Sequence, residues 1–421
     1  MDNIRFFVGI DDTDHLEEGC TTDKMNNFIN HIINNISITI SERRLVRLWP
    51  FASRRTRGNA ALSAILEIHK EDEKIFFDLS ADWFKNLLLE ISKHPPSEIP
   101  ASPALIISKS VLSEDFYWET VTGHVDINTR LIEIEKYNCK IYTGKNNWGI
   151  IGASAAIAWI PNKNSTWELI AWRKPTMIGQ KRILDLKKVT DLDSRFLDTF
   201  LNRDPTKNRG LISPRTPCPV LYGIRGSSYA TLKKAHIWLQ SNLDFEQCSD
   251  YKIHRTNQLS DDHVSPLNGT VVSKISISKG AHSSLSVFSN GRNITLIAFN
   301  EGGPVNKLLR SLVPGDMISW TGLFSPIDNS IHLEKLSLYD SVPRILHRPL
   351  CCYTSMKSAG NQQSLRCSKC NNKSIKYWVA KDVVTNHIKM VNNWAEPSPS
   401  NRRHLSKPLE FEIPLLNNLI S

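Results

Sequence analysis

The sequence predicts an α/β and α+β multidomain protein, and three patterns carry that prediction. Apolar strand-like runs alternate with helical periodicity from Phe6 to Tyr137. A helix, strand, strand, helix order follows between Trp148 and Leu239. Five short alternating runs, with one helix after the third, fill residues 267–340. In succession these read as an N-terminal α/β domain, a ferredoxin-like domain and an OB-fold barrel. A chain of 421 residues is too long for one hydrophobic core. The expected divisions are 1–142, 143–264 and 265–342, then a zinc-ribbon-like module at 343–380 and a C-terminal extension at 381–421.

The first element is a buried strand, Phe6 to Ile10, that runs straight into Asp11, Asp12 and Asp14. Three carboxylates in four positions repel one another and are costly to bury uncompensated, so a dication is an economical way to hold them. Mg²⁺ takes one or two carboxylates together with water and substrate phosphates. Thr21 and Thr22 then open a helix over Asp23 to Ile33, where free backbone N–H groups favour anions. An Asp-rich turn followed by an ordinary Thr cap fits the same residues, and the cluster alone leaves both readings open.

Arg43 to Pro50 alternates basic and apolar residues as a half-buried strand does. It leads into Arg54-Arg55-Thr56-Arg57-Gly58-Asn59. Arg forks match phosphate oxygens, a glycine admits close approach of a backbone, and Asn59 adds an amide. A solvated basic turn is the plainer alternative. Ala61 to His69 reads as a strand, Asp78 to Ser92 as an amphipathic helix, and Pro95 to Pro103 as a turn-rich connector. Ala104 to Ile107 is a further strand and Asp126 to Tyr137 a further helix. No Walker P-loop occurs, so any ATP site is unconventional.

In the middle of the chain, Trp148 to Ile157 is a Gly-entered, small-residue helix suited to lying close on a sheet. Thr166 to Arg173 and Pro219 to Gly226 read as strands, and Tyr229 to Leu239 as a helix. The barrel strands are Gly269 to Ile277, Leu285 to Phe288, Ile294 to Phe299, Met317 to Leu323 and Ile331 to Leu338, with a helix at Val305 to Leu312. Such a barrel is a platform for single-stranded nucleic acid, or a small module packed on its neighbours. Trp320 and Phe324 either stack on bases or fill its core. Cys367 and Cys370 have knuckle spacing, and Cys351 with Cys352 supplies an irregular second half. The tail beyond about residue 395 is read as a flexible basic extension.

A formal charge of +10 suits a polyanionic partner such as RNA. Eight scattered cysteines argue against a disulfide framework. No apolar run approaches the ~20 residues a membrane helix needs, and the N-terminus leads directly into a strand, so the expectation is a cytoplasmic protein with no membrane partner.

The run Gly9-Ile10-Asp11-Asp12-Thr13-Asp14, with Gly19-Cys20-Thr21-Thr22, resembles the opening of the archaeal 2-agmatinylcytidine synthetases, which act on an isoleucine tRNA. Further matches follow in order: Thr-Arg-Gly-Asn at 56–59, Gly-Ile-Ile-Gly-Ala at 149–153, Glu-Leu-Ile-Ala-x-Arg at 168–173 and Val-Leu-Tyr-Gly-Ile-Arg-Gly at 220–226. Thr256-Asn257-Gln258 with Asp261-Asp262-His263, and Met356-Lys357-Ser358 before Gly360, complete the series. The resemblance implies a kinase-like first domain in which Asp11, Asp12 and Asp14 hold Mg²⁺ on ATP. It places Thr21, with Thr22 beside it, at the position that becomes phosphorylated, and gives Arg57, Gly58 and Asn59 to ATP. It assigns Gly223, Arg225 and Gly226 to the substrate domain.

The implied reaction phosphorylates the C2 oxygen of the first anticodon cytidine of an isoleucine tRNA with a CAU anticodon, and agmatine, or another primary amine, then displaces phosphate. Three departures stand out: the Trp49-Pro50-Phe51-Ala52 loop, Trp148 in place of an Arg, and Cys218 in place of an Asp. Agmatine's guanidinium needs an acid, and Glu168 and Asp204 are candidates to replace that Asp. In the ribbon, Zn²⁺ would use Cys351, Cys352, Cys367 and Cys370, with Pro349 at the usual first ligand and Cys351 or His347 standing in. Two rival readings are a paralogous ATP-dependent amine ligase and a non-catalytic RNA-binding protein.

Overall fold

The computed structural model describes residues 3–15, 19–54, 58–242, 244–358, 360, 363–381, 385 and 387–415. The chain forms two compact units. The first is Met1–Val264 with Ser398–Pro408, and the second is Ser265–Pro397 with Leu409–Ser421.

The first unit is built on one nine-stranded sheet. Its strands are β1 (Asn3–Asp11), β2 (Ile38–Arg47), β3 (Ala60–His69), β4 (Ala104–Ser108), β5 (Lys140–Thr143), β6 (Thr166–Arg173), β7 (Thr199–Phe200), β10 (Val220–Gly226) and β11 (Cys248–Thr256). A small hairpin, β8 (Arg203–Asp204) with β9 (Arg209–Gly210), stands apart. Across the sheet the order is β5-β4-β1-β3-β2-β11-β6-β10-β7. The strands expected in two separate domains are therefore joined edge to edge. The seam is a short parallel pairing of β11 with β2, in which Arg255 faces Arg44 and Thr256 faces Leu45. Asn257, just beyond, locks the seam: its amide donates to the Arg47 carbonyl at 2.9 Å and accepts from the Arg47 N–H at 2.7 Å.

Alternation along β1 sends Phe6, Val8 and Ile10 to one face and Phe7 to the other. Helices α1 (Thr21–Ile33) and α2 (Glu73–Ile91) cover the first face through Phe28, Phe76 and Trp83. The second face is covered by α3 (Asp115–Thr122), α4 (Ile127–Glu135) and α5 (Gly149–Ala158). Close packing explains the small residues of α5. A Cβ on Gly9 would come within 2.3 Å of the Ala153 carbonyl oxygen, so strand and helix meet backbone to backbone. This helix, read from sequence as the start of the second domain, thus packs beneath the N-terminal strands. Helices α6 (Leu186–Arg195) and α7 (Tyr229–Gln240) cover β6, β10 and β11 around Leu169, Leu221 and Leu232.

The segment expected to be a flexible tail is instead built into this unit from Ser398 to Pro408. Leu405 is buried in the second-face core. The His404 and Leu405 carbonyls accept the Leu259 and Asp261 N–H groups at 3.0 and 2.9 Å. These backbone bonds, with one buried leucine, supply what the segment's polar composition hides.

The second unit contains a closed five-stranded barrel of β12 (Leu267–Val271), β14 (Ser283–Ser289), β15 (Arg292–Ala298), β16 (Met317–Ser325) and β17 (Ser330–Asp340). The order is β12-β16-β17-β15-β14, and β14 closes on β12. The first predicted strand is split, its far end forming the short β13 (Ser276–Ile277) on β14. Helix α8 (Pro304–Ser311) lies between β15 and β16 in sequence and plugs the interior with Val305, Leu308 and Leu309. Trp320 is fully buried and fills the core, whereas Phe324 is 52% exposed. Of the two aromatics, only Phe324 is available to a partner.

Candidate active site

A cavity of about 700 Å³ opens in the first unit where the ends of β1, β2, β6 and β10 converge. Asp11, Asp12 and Asp14 line it, as do Thr21 and Thr22 from the start of α1. Asp11 ends β1 and Asp12 turns out of the sheet with φ of +54°, a left-handed conformation that Asp tolerates better than most residues. Burial, then the charge of Asp12, pushes the Asp11 carboxyl well above the usual carboxylate range. Burial also pushes Asp12 up to about 7, with Arg54 pulling against it and Asp14 adding repulsion. The Arg54 guanidinium stands 3.7 Å from the Asp12 carboxylate and 5.5 Å above the Trp148 ring. Trp148 therefore lines the cavity as an aromatic shelf for Arg54.

The two threonines are held differently. Thr21 donates its hydroxyl hydrogen to the Asp14 carboxylate and accepts one from Thr13 at 3.1 Å. Thr22 accepts the indole N–H of Trp172 at 3.1 Å, a bond reaching from β6 to α1. Of the two, Thr21 is the one with its hydroxyl on a carboxylate.

Gly58 and Asn59 also line the cavity, while Arg57 lies outside the described residues. A Cβ on Gly58 would meet Arg47 Nη1 at 2.3 Å, so the close approach this glycine permits is that of Arg47. Asn59, at φ of +40°, donates its amide to the Trp49 carbonyl at 2.6 Å and shapes the loop.

The same cavity is lined by a charged cluster of which the sequence pointed to Glu168 and Arg225 but not to Arg47. Glu168 is buried with Arg47 Nη2 at 3.0 Å and Arg225 Nε at 3.2 Å. Burial alone would raise its carboxyl, but the guanidiniums of Arg47 and Arg225 outweigh this and hold it at about 2. Gly223 packs against it, leaving 3.1 Å between a notional Cβ and Glu168 Oε1. Gly226 is placed elsewhere, against the Asp198 carbonyl. Both acids proposed to replace the missing Asp already have partners: Glu168 pairs with Arg47 and Arg225, and buried Asp204 binds Thr206 Oγ1 at 2.6 Å and the Ser400 N–H at 3.0 Å. Cys218 lines the cavity, and its thiol lies 3.5 Å from Arg182 Nη2. Arg182 also donates to the carbonyls of Pro214, Thr216, Cys218 and Val220, bracing that wall.

Family models cover both halves of the nine-stranded sheet: a TiaS TCKD domain matches residues 7–146 and a TiaS FLD domain residues 147–263. The tRNA 2-agmatinylcytidine synthetase TiaS of Methanocorpusculum labreanum is 30% identical over 95% of each chain. The chain belongs to the TiaS family of tRNA 2-agmatinylcytidine synthetases. The Thermococcus sibiricus synthetase is also 30% identical, over 99% of this chain and 98% of its own. Among solved structures, a complex of TiaS with its isoleucine tRNA and ATP matches with a TM-score of 0.80 at 27% identity over 99% of each chain. Apo TiaS matches with a TM-score of 0.79 at 27% identity, over 99% of this chain and all of the other.

This synthetase-family chain brings its four C-terminal cysteines together in the second unit. One sulfur from each of Cys351, Cys352, Cys367 and Cys370 lies within 4.8 Å of the others. Cys351 itself joins the set, so His347 is not needed, and its ring nitrogen bonds the Arg348 carbonyl instead. Cys352 and Tyr353 adopt φ of +47° and +59°, a left-handed turn beside two of the four thiols. Backbone N–H groups of Cys370 and Lys369 hold the Cys367 thiol down at about 6. Hydrogen bonding to Cys370, then Cys351, pushes Cys352 up to about 12.

Proposed function

We propose that this chain uses ATP to activate the C2 oxygen of the first anticodon cytidine of an isoleucine tRNA and then joins agmatine to C2, forming agmatidine. The observation that carries the reading is one cavity lined both by Asp11, Asp12, Asp14 and Thr21 and by the Arg47–Glu168–Arg225 cluster. The relatives' names and the complexes with isoleucine tRNA, ATP and agmatine support the same substrates. A cytoplasmic place of action goes with a tRNA substrate, and among the described residues no helix is long and apolar enough to cross a membrane.

The chemistry follows from the residues. A carbonyl oxygen is a poor leaving group until it carries a phosphoryl group, so transfer of the γ-phosphoryl from ATP comes first. The amine nitrogen then forms a bond to C2, the C2–O bond breaks, and phosphate departs as the amine loses its proton. The donor set fits Mg²⁺: the buried Asp12 Oδ2 makes no hydrogen bond and has Arg54 only at 3.7 Å, and the raised Asp11 and Asp12 carboxyls gain from a counter-charge. Bound there, Mg²⁺ would neutralise charge developing on the transferred phosphoryl group. Asp14, which accepts the Thr21 hydroxyl hydrogen, would take that proton as the hydroxyl oxygen bonds to the γ-phosphorus of ATP and the bond from that phosphorus to the rest of the nucleotide breaks.

For the two domains of the first unit we keep the divisions 1–142 and 143–264 and their kinase-like and ferredoxin-like character. The barrel has the strand order of an OB fold and is assigned to RNA, with Phe324 as a stacking residue. The four thiolates suit zinc in tetrahedral geometry, as in a zinc ribbon.

The test is direct. Purified protein, ATP and the tRNA are incubated separately with agmatine, putrescine, spermidine and lysine, and nucleosides are analysed by mass. Attachment of agmatine to cytidine is expected. Attachment of another amine alone would favour a paralogous ligase, the reading raised by Cys218. Asp12→Asn serves as the companion: it should stop product formation and leave tRNA affinity unchanged.

A further inference from the structure

We propose that the returning segment Ser398–Pro408 is a working wall of the reaction cavity, and that His404 on it, together with Arg47 and Arg225, receives a phosphate group of a bound substrate. This rests on the reading of the cavity as an ATP and RNA site, and adds to it a residue from a stretch that composition marks as tail.

Ser400 and His404 both line the cavity, although more than 130 residues of chain separate them from the rest of the unit at Val264. The segment is fastened at several points along its length. At its start, the Ser400 N–H donates to Asp204 and Lys207 donates to Asn401 Oδ1 at 3.2 Å. At its centre, Arg403 stacks 4.8 Å from the Phe51 ring, and the His404 and Leu405 carbonyls accept from Leu259 and Asp261. At its end, the Lys407 N–H donates to Asp261 Oδ1 at 2.8 Å. Such a segment holds its side chains in fixed positions, as a substrate-contacting residue requires.

Arg47 and Arg225 share one carboxylate, Glu168, which leaves a positive excess on the cavity wall. Arg209 and Arg215 line the same cavity. Arg47 spends Nη2 on Glu168 and Nη1 on the Gly58 carbonyl, while its buried Nε has no hydrogen-bond partner. The His404 Nε2 sits on the same spot, 3.8 Å from where a Gly58 Cβ would be. The residue is exposed towards the cavity, and the charge of Arg47, ahead of local desolvation and the charge of Arg225, holds the imidazole pKa well below its usual value. An uncharged imidazole beside two guanidiniums adds a hydrogen-bond donor without adding repulsion. A phosphate oxygen is the group that suits such a set.

Two phosphates fit this chemistry: one of the nucleotide, or one of the RNA backbone beside the target cytidine. Binding measurements on the full chain separate them. Affinity for AMPCPP without RNA, and for the tRNA without nucleotide, is compared for wild type, His404→Ala and His404→Gln. Each variant is first checked for an unchanged melting temperature. Loss of one charge-assisted hydrogen bond corresponds to about ten-fold weaker binding of whichever ligand brings the phosphate. His404→Gln, which keeps an N–H near the Nε2 position, should recover most of that loss. A drop for AMPCPP alone assigns the nucleotide, and a drop for tRNA alone assigns the backbone. Both affinities unchanged in His404→Ala would overturn the proposal and leave the functional reading standing. Wild-type protein that binds neither ligand would overturn both.

Discussion

Asp11 lies with its carboxyl against the α-carbon of Gly152, where an added Cβ would stand 1.8 Å from Oδ2. One residue ends the first strand and the other sits in the first turn of α5, so a glycine in a helix sets the position of a buried acid in the cavity. Gly149 does the same for the Asp11 backbone, with 2.8 Å between its notional Cβ and the carbonyl oxygen.

Gly152→Ala should therefore injure catalysis more than folding. Helix propensity favours alanine by up to about 1 kcal/mol. Overpacking opposes it by about 1–3 kcal/mol. The net change in stability should be small, while the displaced carboxyl should lower turnover by at least about ten-fold. Thermal melts beside agmatine-attachment rates would show the split. A variant with normal turnover would mean that Asp11 need not hold its place.

Glu168 supplies a pH prediction. Its folded-state value of about 2 is depressed below the ordinary 4.5, so its contribution to stability is present above 4.5 and is lost as the pH falls from there through about 2. Glu168→Gln removes this dependence and leaves two guanidiniums facing each other. Breaking a buried pair from one side costs about 3–5 kcal/mol at neutral pH. Melting temperatures of both proteins, from pH 7 down to pH 3, should converge towards the acid end. Curves that stay parallel would remove Glu168 as the charge that binds the cluster.

RNA binding is expected to depend on the second unit. Truncation after residue 264 would also delete Ser398–Pro408, so the informative change replaces residues 265–397 with a flexible Gly/Ser linker. The shortened protein should still bind the ATP analogue. Its tRNA affinity should fall and the salt dependence of that affinity should flatten, because each lost phosphate contact reduces the slope by roughly 1. An unchanged slope would place the RNA surface wholly on the first unit.

The cysteine cluster predicts one zinc per chain. Elemental analysis of wild-type protein purified without chelator should find it, and Cys370→Ser should lose it. The buried cluster described around this module is small, Met356, Leu365 and Cys367, so a bound zinc would supply much of the folding energy there. A metal-free wild type with an unchanged melting temperature would exclude that role.

The barrel, the first strand and its acids, and the small-residue helix were legible in the sequence because each is a local pattern. Alternation, glycine spacing and clustered charge act within ten residues or so. Helix α3 and strand β11 were not, since Asp115–Thr122 is too short for a clear period and Cys248–Thr256 carries polar side chains along much of its length. The Glu168 cluster was legible only in part: Glu168 and Arg225 were candidates one by one, but they and Arg47 sit in three strands far apart in the sequence, and nothing local says that they meet. Their sequences decide strand propensity and which face each side chain takes. Only the tertiary pairing of β11 with β2, and of β6 with β11 and β10, decides that three charges meet. The tail shows the same limit. Composition describes how a segment would behave in water, whereas Ser398–Pro408 is ordered by backbone hydrogen bonds to Leu259 and Asp261, partners that exist only once the sheet has formed.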